Sequence, residues 1–115
     1  MGVTFKANTD DIRNSCSLYL TNMLLKYKSK INVYDPRGIN QFKDIYGNKV
    51  NYYNDIYNCI LGCDIIIIAA DWDIIKNFNF NSINNENDIY IYDFKSCLNF
   101  KNNDINSKIK YWSLG

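Results

Sequence analysis

The chain has 115 residues, the size of one domain with a single hydrophobic core. Thirteen lysines and arginines against twelve aspartates and glutamates give a net charge of +1, so no strong field attracts nucleic acid or an anionic membrane. The longest apolar run, residues 65–70, is too short to cross a bilayer, and the N-terminus lacks the pattern of a signal peptide. We therefore expect one cytoplasmic domain that binds neither nucleic acid nor membrane.

The chain contains four cysteines and no histidine, which limits the metal and acid–base chemistry open to it. Cys59 and Cys63 lie one helical turn apart, and Cys16 and Cys97 are distant in sequence. A structural zinc site requires two closely spaced ligand pairs. We therefore expect no metal site, and we interpret Cys59 and Cys63 as small buried side chains in a reducing compartment.

The chain begins with a predicted strand, loop and helix. Residues 2–5 form a short apolar run, and the apolar positions between 18 and 27 have the spacing of an amphipathic helix. The loop between them, residues 5–15, carries a lysine, a threonine, two aspartates and an arginine. Ligands of open α/β sheets bind at the carboxyl ends of the strands, so this loop is the first candidate site.

Strand-like and helix-like segments then alternate to the end of the chain. The predicted strands are residues 2–5, 31–34, 50–53, 64–70, 89–92 and 109–112, and the predicted helices are 18–27, 38–46, 56–63 and 74–78. The alternation predicts an α/β, three-layer, Rossmann-like, doubly wound and mainly parallel sheet of about six strands. The continuous apolar run of the 64–70 strand predicts the centre of that sheet, with helices covering both faces.

Polar side chains follow the predicted strands where each one ends. Lys6 follows the first strand, Asp71 and Asp73 follow the fourth, and Asp93 and Lys95 follow the fifth. Parallel strands place these residues at one edge of the sheet. Two ammonium groups at one edge suit a phosphate, because each offers a positive charge with three donors.

The remaining charged residues of the first loop have a structural alternative. Thr9, Asp10, Asp11 and Arg13 are explained as readily by a network that braces the loop, with Thr9 and Ser15 capping the helix. The sequence leaves both interpretations open and favours the bracing network.

The pattern of a dinucleotide site is missing from this Rossmann-like sequence. Such a site requires Gly-x-Gly-x-x-Gly after the first strand, and residues 6–11 contain no glycine. Asp35 ends the second strand, where a ribose-binding acid would lie, but Asp35 followed by Pro36 is also an ordinary end of a strand. We interpret Trp72 and Trp112 as core or interface residues rather than as platforms that stack on a ligand.

The chain resembles the C-terminal domain of the UDP-glucose/GDP-mannose dehydrogenases over residues 2–115. The resemblance rests on the motif Phe5-Lys6-x-Asn8-Thr9-Asp10-Asp11-Ile12-Arg13-x-Ser15, then on Val33-Tyr34-Asp35-Pro36, the strand that begins at Asp64, Trp72 and Asp93. It implies that residues 1–115 form one UDP-sugar-binding domain. The enzyme would use NAD to oxidise the C6 hydroxyl of a nucleotide sugar to a carboxylate in two steps, for polysaccharide synthesis.

The resemblance also implies which residues bind the UDP-sugar. Phe5 and Lys6 would contact it, and Lys95 stands where the family has a phosphate-contacting arginine. Phe94 replaces the glycine before that arginine, and Cys16 replaces a proline after the first motif. Lysine keeps the charge of arginine without its bidentate fork.

No residue of this chain matches the family's catalytic cysteine. The resemblance implies that this cysteine and the NAD glycines belong to domains absent from the chain, an N-terminal NAD-binding domain and a central dimerisation domain of a homo-oligomer. The chain alone is therefore not expected to turn over. UDP-glucose is the expected substrate, and a UDP-N-acetyl-sugar or GDP-mannose dehydrogenase, or a non-catalytic remnant that acts as an interaction module, remain alternatives.

Overall fold

The computed structural model of the chain describes residues 1–100 and 106–114. Within these ranges the helices are α1 Cys16–Lys26, α2 Ile39–Tyr46, α3 Ile56–Ile60 and α4 Asp73–Lys76, with 3-10 turns at Gly47–Lys49 and Phe80–Ser82. The strands are β1 Asn32–Val33, β2 Asn51–Tyr52, β3 Ile65–Ile68, β4 Ile89–Asp93 and β5 Ile109–Ser113. The alternation of strands and helices confirms the predicted α/β class.

All pairs of neighbouring strands are parallel, and they form two small sheets. β1 pairs with β2, and β4 lies between β3 and β5. The prediction of a mainly parallel sheet is confirmed. The prediction of about six strands in a three-layer sheet is not confirmed, because the described ranges hold five strands in two sheets. Parallel pairing still brings the carboxyl ends of the strands in each sheet to a common edge.

The segment predicted as the first strand joins the two sheets without forming a strand of its own. The N–H of Gly2 donates to the carbonyl of Tyr34, just beyond β1, at 2.9 Å. The N–H of Ala69, just beyond β3, donates to the carbonyl of Met1 at 2.9 Å. The segment therefore lies between β1 and β3 and hydrogen-bonds to both.

Side-chain hydrogen bonds explain why this segment is not a strand. The N–H groups of Val3 and Thr4 donate to the carboxylate of Asp35 at 2.7 and 3.2 Å. A strand continues an evenly spaced ladder of backbone bonds, whereas here the backbone bond from Gly2 to Tyr34 is followed by two bonds to a side chain. The prediction of a strand over residues 2–5 is therefore wrong, because a carboxylate takes the place of the neighbouring strand.

The helices begin and end at residues that suit those positions. The hydroxyl of Ser15 accepts from the N–H of Ser17 at 3.1 Å, and the carboxylate of Asp55 accepts from the N–H of Asn58 at 2.8 Å. Each bond satisfies an N–H group that the first turn of a helix leaves free. α2 ends at Gly47, whose φ of 54° lies in the left-handed region that glycine adopts at little cost.

Two clusters of buried apolar side chains hold the elements together. In the larger cluster, α3 and α4 pack on one face of β3 and β4, through Ile56, Cys59, Ile60, Ile75, Ile66, Ile68 and Ile91. The smaller cluster lies beside β1 and contains Val3, Ile12, Val33, Phe42, Tyr46 and Val50. Burying one such aliphatic or aromatic side chain stabilises the fold by about 1.5–3 kcal/mol.

One face of the strand β3 is buried, and the other face is exposed at the start of the strand. Ile66 and Ile68 are buried against α3 and α4, whereas Ile65, which points to the opposite face, is 55% exposed. The prediction that helices cover both faces of this strand is therefore wrong at Ile65, whereas Ile67, on the same face, is half-buried. An unbroken run of isoleucines does not distinguish a strand buried on both faces from one with an apolar face left open.

We expect Gly2→Ala to destabilise the protein by about 3 kcal/mol, through backbone strain and overpacking together. Gly2 has a φ of 79°, and a Cβ atom there would lie 2.6 Å from the backbone nitrogen of Ala70. Gly62 has a similar φ of 75° with no atom within 4 Å of the added carbon, so Gly62→Ala should cost only about 1 kcal/mol. Urea unfolding followed by circular dichroism measures both; equal losses would show that Gly2 is not tightly packed.

Candidate functional site

The candidate site lies at the edge where the strands have their carboxyl ends. Residues 4–15 follow the segment that joins the sheets, and residues 35–38 follow β1. Residues 69–72 follow β3, and residues 94–96 follow β4. This is the edge at which open α/β sheets bind their ligands.

The carboxylate of Asp35 organises this edge. One oxygen accepts from the N–H groups of Val3 and Thr4, and the other accepts from the N–H groups of Arg37 and Gly38 at 2.8 and 2.7 Å. Asp35 is only 3% exposed, so these bonds compensate for burying its charge. Both oxygens are occupied, which leaves Asp35 unavailable to a ribose hydroxyl.

Thr4 connects Asp35 to the segment that follows β3, residues 69–72. Its hydroxyl lies 3.3 Å from the carboxylate of Asp35 and accepts from the indole N–H of Trp72 at 3.1 Å. Trp72 is 7% exposed and belongs to the larger core cluster. Its predicted core position is therefore confirmed.

The loop that follows Thr4 is held by bonds among its own residues. The N–H of Phe5 donates to the carbonyl of Asp11 at 2.7 Å, and the N–H of Asp11 donates to the hydroxyl of Thr9 at 3.2 Å. The guanidinium of Arg13 forms two bonds of 3.0 Å with the carboxylate of Asp11. This pairing holds the pKa of Asp11 below its ordinary value.

Two further contacts connect the loop to the neighbouring segment. The carboxylate of Asp10 accepts from the side-chain amide of Gln41 at 3.2 Å, and the carbonyl of Asn8 accepts from the guanidinium of Arg37 at 3.4 Å. Asn8 has a φ of 64°, a left-handed conformation that asparagine tolerates better than most residues. The polar residues of the loop therefore bond to each other and to α2.

Phe5 and Lys6 differ from the rest of the loop because their side chains face solvent. Phe5 is 52% exposed, and Lys6 is also exposed. Among the described residues no carboxylate pairs with the ammonium of Lys6. An unpaired cation and an exposed ring thus project from a loop that its other residues hold in place.

The second polar group of the edge is built around Asp93, at the end of β4. Asp93 is 1% exposed, and its carboxylate accepts from the hydroxyl of Tyr111 at 2.7 Å and from the N–H groups of Leu98 and Lys95 at 2.8 and 3.1 Å. These bonds fix the turn that presents Lys95. The side chain of Lys95 is exposed, and no acid in the described part of the chain pairs with it.

The other acidic residues predicted at this edge have simpler surroundings. Asp73 is the first residue of α4 and pairs with Lys76 one turn later at 3.1 Å. Asp71 is exposed beside Trp72. Both side chains are exposed.

The thiols of Cys59 and Cys97 are poorly suited to nucleophilic chemistry. Burial raises the pKa of Cys59 to about 11, and burial together with the nearby Asp93 raises the pKa of Cys97 to about 11. At neutral pH both are therefore protonated, and the thiolate is the reactive form. Within residues 1–100 and 106–114 no three histidine, cysteine or acidic side chains are grouped to hold a metal ion, and no helix is long and apolar enough to span a membrane.

The sequence pattern does not indicate the roles of three residues at this edge. Asp35 is predicted to end a strand, with a ribose ligand as the alternative, whereas in the structure its carboxylate anchors the loop. Arg37 and Tyr111 carried no motif at all. The N–H of Gly38 donates to Asp35, and a Cβ atom at Gly38 would lie 2.8 Å from the side chain of Thr4. The need for glycine there arises from a contact 34 residues away in the chain, so local sequence does not reveal it.

A parallel α/β fold with polar loops gathered at the carboxyl edge defines a class of small-ligand-binding domains. The chain belongs to the UDP-glucose/GDP-mannose dehydrogenase family, because the model of the family's UDP binding domain matches residues 1–100. This finding confirms the resemblance noted in the sequence.

Individual relatives agree with the family match. The chain is 28% identical over 116 residues to the UDP-glucose 6-dehydrogenase YwqF of Bacillus subtilis, which covers all of this chain and 26% of the relative. It is 29% identical over 119 residues to the UDP-glucose 6-dehydrogenase of Rickettsia prowazekii, which covers all of this chain and 27% of the relative. The chain thus spans about a quarter of the length of these relatives.

A solved structure agrees with the fold. The UDP-glucose dehydrogenase of the hyperthermophilic archaeon Pyrobaculum islandicum superposes with a TM-score of 0.70 at 25% identity, over 80% of this chain and 20% of that one. The segment shared with these proteins is again a small part of each.

We expect Asp35→Ala to destabilise the fold by about 3 kcal/mol or more, because it leaves buried N–H groups without an acceptor. Asp44, an exposed residue of α2, is the matched control, and Asp44→Ala should change the free energy of unfolding by less than about 0.5 kcal/mol. Urea unfolding measures both. Losses of the same size would contradict the anchoring role of Asp35.

We expect Tyr111→Phe to cost about 1.5–3 kcal/mol at neutral pH, because it removes a hydrogen bond to a buried carboxylate. Tyr90→Phe, which alters an exposed tyrosine on the neighbouring strand, is the control. Burial and Asp93 raise the pKa of Tyr111 from 10.0 to about 12. The unfolded chain therefore loses this proton first, so stability should fall as the pH rises from 10 to 12.

The fall in stability at high pH should be smaller in Tyr111→Phe than in the unaltered chain or in Tyr90→Phe. Urea unfolding at several alkaline pH values measures it. The same pH dependence in all three proteins would show that the bond between Tyr111 and Asp93 does not form.

Proposed function

We propose that this chain is the nucleotide-sugar-binding domain, residues 1–115, of an NAD-dependent UDP-glucose 6-dehydrogenase. The enzyme would oxidise the C6 hydroxyl of UDP-glucose to a carboxylate. The domain would hold the UDP portion of the substrate while other domains carry out the chemistry. The compartment expected for such an enzyme is the cytoplasm.

The observation that carries the proposal is the pair of unpaired lysines at the carboxyl edge. Lys6 and Lys95 are exposed, lack acid partners in the described ranges, and follow the segment beside β3 and the end of β4. Each ammonium offers three donors to a diphosphate. Their loops are held by Asp35 and Asp93, so little ordering is required when the ligand binds.

Phe5 supplies the apolar part of the site. Its ring is 52% exposed beside Lys6, although a free phenylalanine side chain gains by leaving water. We propose that the ring packs on the sugar nucleotide while Lys6 neutralises the phosphate charge. Thr9, Asp10, Asp11 and Arg13 would hold the loop without touching the ligand, in agreement with the bonds that they make to each other and to α2.

NAD does not fit the residues of this chain. The turn over residues 6–11 has no glycine to let a pyrophosphate approach the backbone. Asp35, which would have to bind a ribose, already accepts from four backbone N–H groups. We therefore assign NAD, the catalytic cysteine and the dimer contacts to an N-terminal and a central domain outside the length of this chain.

The choice of UDP-glucose over other nucleotide sugars rests on the relatives. The two described above are both named UDP-glucose 6-dehydrogenases. A UDP-N-acetyl-sugar or GDP-mannose would present the same diphosphate to Lys6 and Lys95. The base and the sugar would therefore be selected by contacts beyond these two lysines.

A second function is favoured by one observation. The resemblance implies that Phe94 and Lys95 stand where the family has glycine and arginine, and a phenylalanine does not allow the close backbone approach that a glycine does. A domain with this loop would suit a non-catalytic interaction module that keeps the fold and has lost the ligand. Titration with UDP separates the two functions.

We expect UDP and UDP-glucose to bind the chain saturably in a calorimetric titration. Lys6→Ala and Lys95→Ala should each weaken binding by about tenfold or more, because each removes a charge-assisted contact worth about 1.5–3 kcal/mol. Lys49→Ala, in the exposed 3-10 turn after α2, should leave binding unchanged.

A double variant tests the altered loop directly. Phe94→Gly combined with Lys95→Arg restores the family pattern and should tighten UDP binding, because arginine gives two parallel bonds to a phosphate. If neither the unaltered chain nor this variant binds UDP at millimolar concentration, the binding function is wrong for this chain and the interaction module replaces it.

A further inference from the structure

The sheet formed by β3, β4 and β5 has one apolar face that no helix in the described ranges covers. Alternate residues of a strand point to opposite faces, and one set packs under α3 and α4. The other set forms what we call the open face: Ile65, Ile67, Tyr90, Tyr92, Lys110 and Trp112.

The exposure of the open face is large for a sheet interior. Ile65 is 55% exposed, Trp112 is 50% exposed, and Tyr90 and Tyr92 are 38% and 37% exposed. Contiguous exposed apolar patches larger than a few hundred Å² mark interaction sites on protein surfaces. The open face is therefore a candidate interface.

The aromatic rings of the open face are arranged for packing against protein. The ring of Trp112 stacks on Tyr92 and Tyr90, with centroids 5.5 and 5.9 Å apart and planes tilted by 14°. The three rings therefore form one aromatic cluster across β4 and β5, which we call the ridge, and such clusters bury large apolar areas at protein interfaces.

α1 borders the open face and leaves a groove beside it. The groove has a volume of about 510 Å³ and is lined by Leu20 and Leu24 of α1 and by Ile65 and Ile67 of β3. From β3 to β5 the sheet is two strand spacings wide, about 10 Å. That width matches one α-helix with its side chains, about 10–12 Å across.

The charged residues around the groove and the open face indicate what kind of helix would bind there. Lys30 and Asp64 line the groove, and Lys110 lies in register with Tyr90 on the open face. Two lysines against one aspartate favour an occupant with acidic rather than basic residues at its edge. An apolar stripe with an acidic margin describes an amphipathic helix.

We infer that the open face binds one amphipathic helix, which packs beside α1 and belongs to the part of a dehydrogenase that lies outside this chain. The inference rests on the proposed function, because the chain spans about a quarter of its relatives and the remaining length must supply the helix. Such a helix would bury the ridge of Tyr90, Tyr92 and Trp112 and fill the groove along α1.

Hydroxyl-radical footprinting with mass spectrometry tests this inference residue by residue. The chain is compared with a chimera in which it replaces the matching quarter of Bacillus subtilis YwqF. Tyr90, Tyr92 and Trp112 should be oxidised about fivefold less in the chimera, because an interface excludes water. Tyr57, 45% exposed on α3, is the matched control and should react equally in both.

A pair of matched variants tests whether the open face contributes to the thermal stability of the chimera. Ile65 lies on the open face and Ile45 lies on α2, and they are 55% and 54% exposed. Ile65→Lys should lower the melting temperature of the chimera by several degrees and barely change that of the chain alone. Ile45→Lys should have little effect in either protein.

Oxidation of the three rings at the same rate in the chain and the chimera would overturn the inference, whether or not the chimera is active. Ring protection in the chain alone that grows with its concentration would also overturn it, in favour of a second copy on this face. The footprint requires no UDP. Ring protection in a chimera that fails to bind UDP would keep the docking face and reject the binding function.

Discussion

The carboxylate of Asp35 is the interaction on which the arrangement of the site depends. It binds the backbone of Val3 and Thr4 on one side and of Arg37 and Gly38 on the other. Without it, the segment that joins the sheets would leave several N–H groups buried and unpaired, at a cost of about 1–3 kcal/mol each. The backbone at the start of the first loop is therefore held in place by Asp35, although this part of the chain belongs to no strand.

This anchoring of the backbone matters because the side chains proposed to bind the ligand are exposed and, within the described part of the chain, are not held by bonds of their own. Phe5 and Lys6 point into solvent directly after the anchored Thr4, and Lys95 follows the turn that Asp93 holds. Two buried carboxylates thus hold two exposed cations at one edge without pairing with them. The opposite situation, a lysine paired with a nearby acid, would leave less positive charge for a diphosphate.

The part of the fold that could be predicted from sequence is the part set by local pattern. The apolar spacing within residues 18–27 predicted α1, and that within residues 56–63 predicted α3, because both signals lie within a few turns of chain. The strand predicted over residues 2–5 failed because its N–H groups bond to Asp35, which lies about 30 residues later. The open face at Ile65 was not predicted for a related reason, since an unbroken apolar run is the same in sequence whether one face or both faces of the strand are covered.

The central claim is that the carboxyl edge binds the diphosphate of a nucleotide sugar, and amide NMR spectra of the ¹⁵N-labelled chain during addition of UDP test it most directly. The account predicts saturable shifts at residues 5–8 and 94–96. Lys43, Tyr52 and Tyr53, which line a separate open depression of about 590 Å³, should not shift. Shifts confined to that depression, or no shifts at millimolar UDP, would contradict the account.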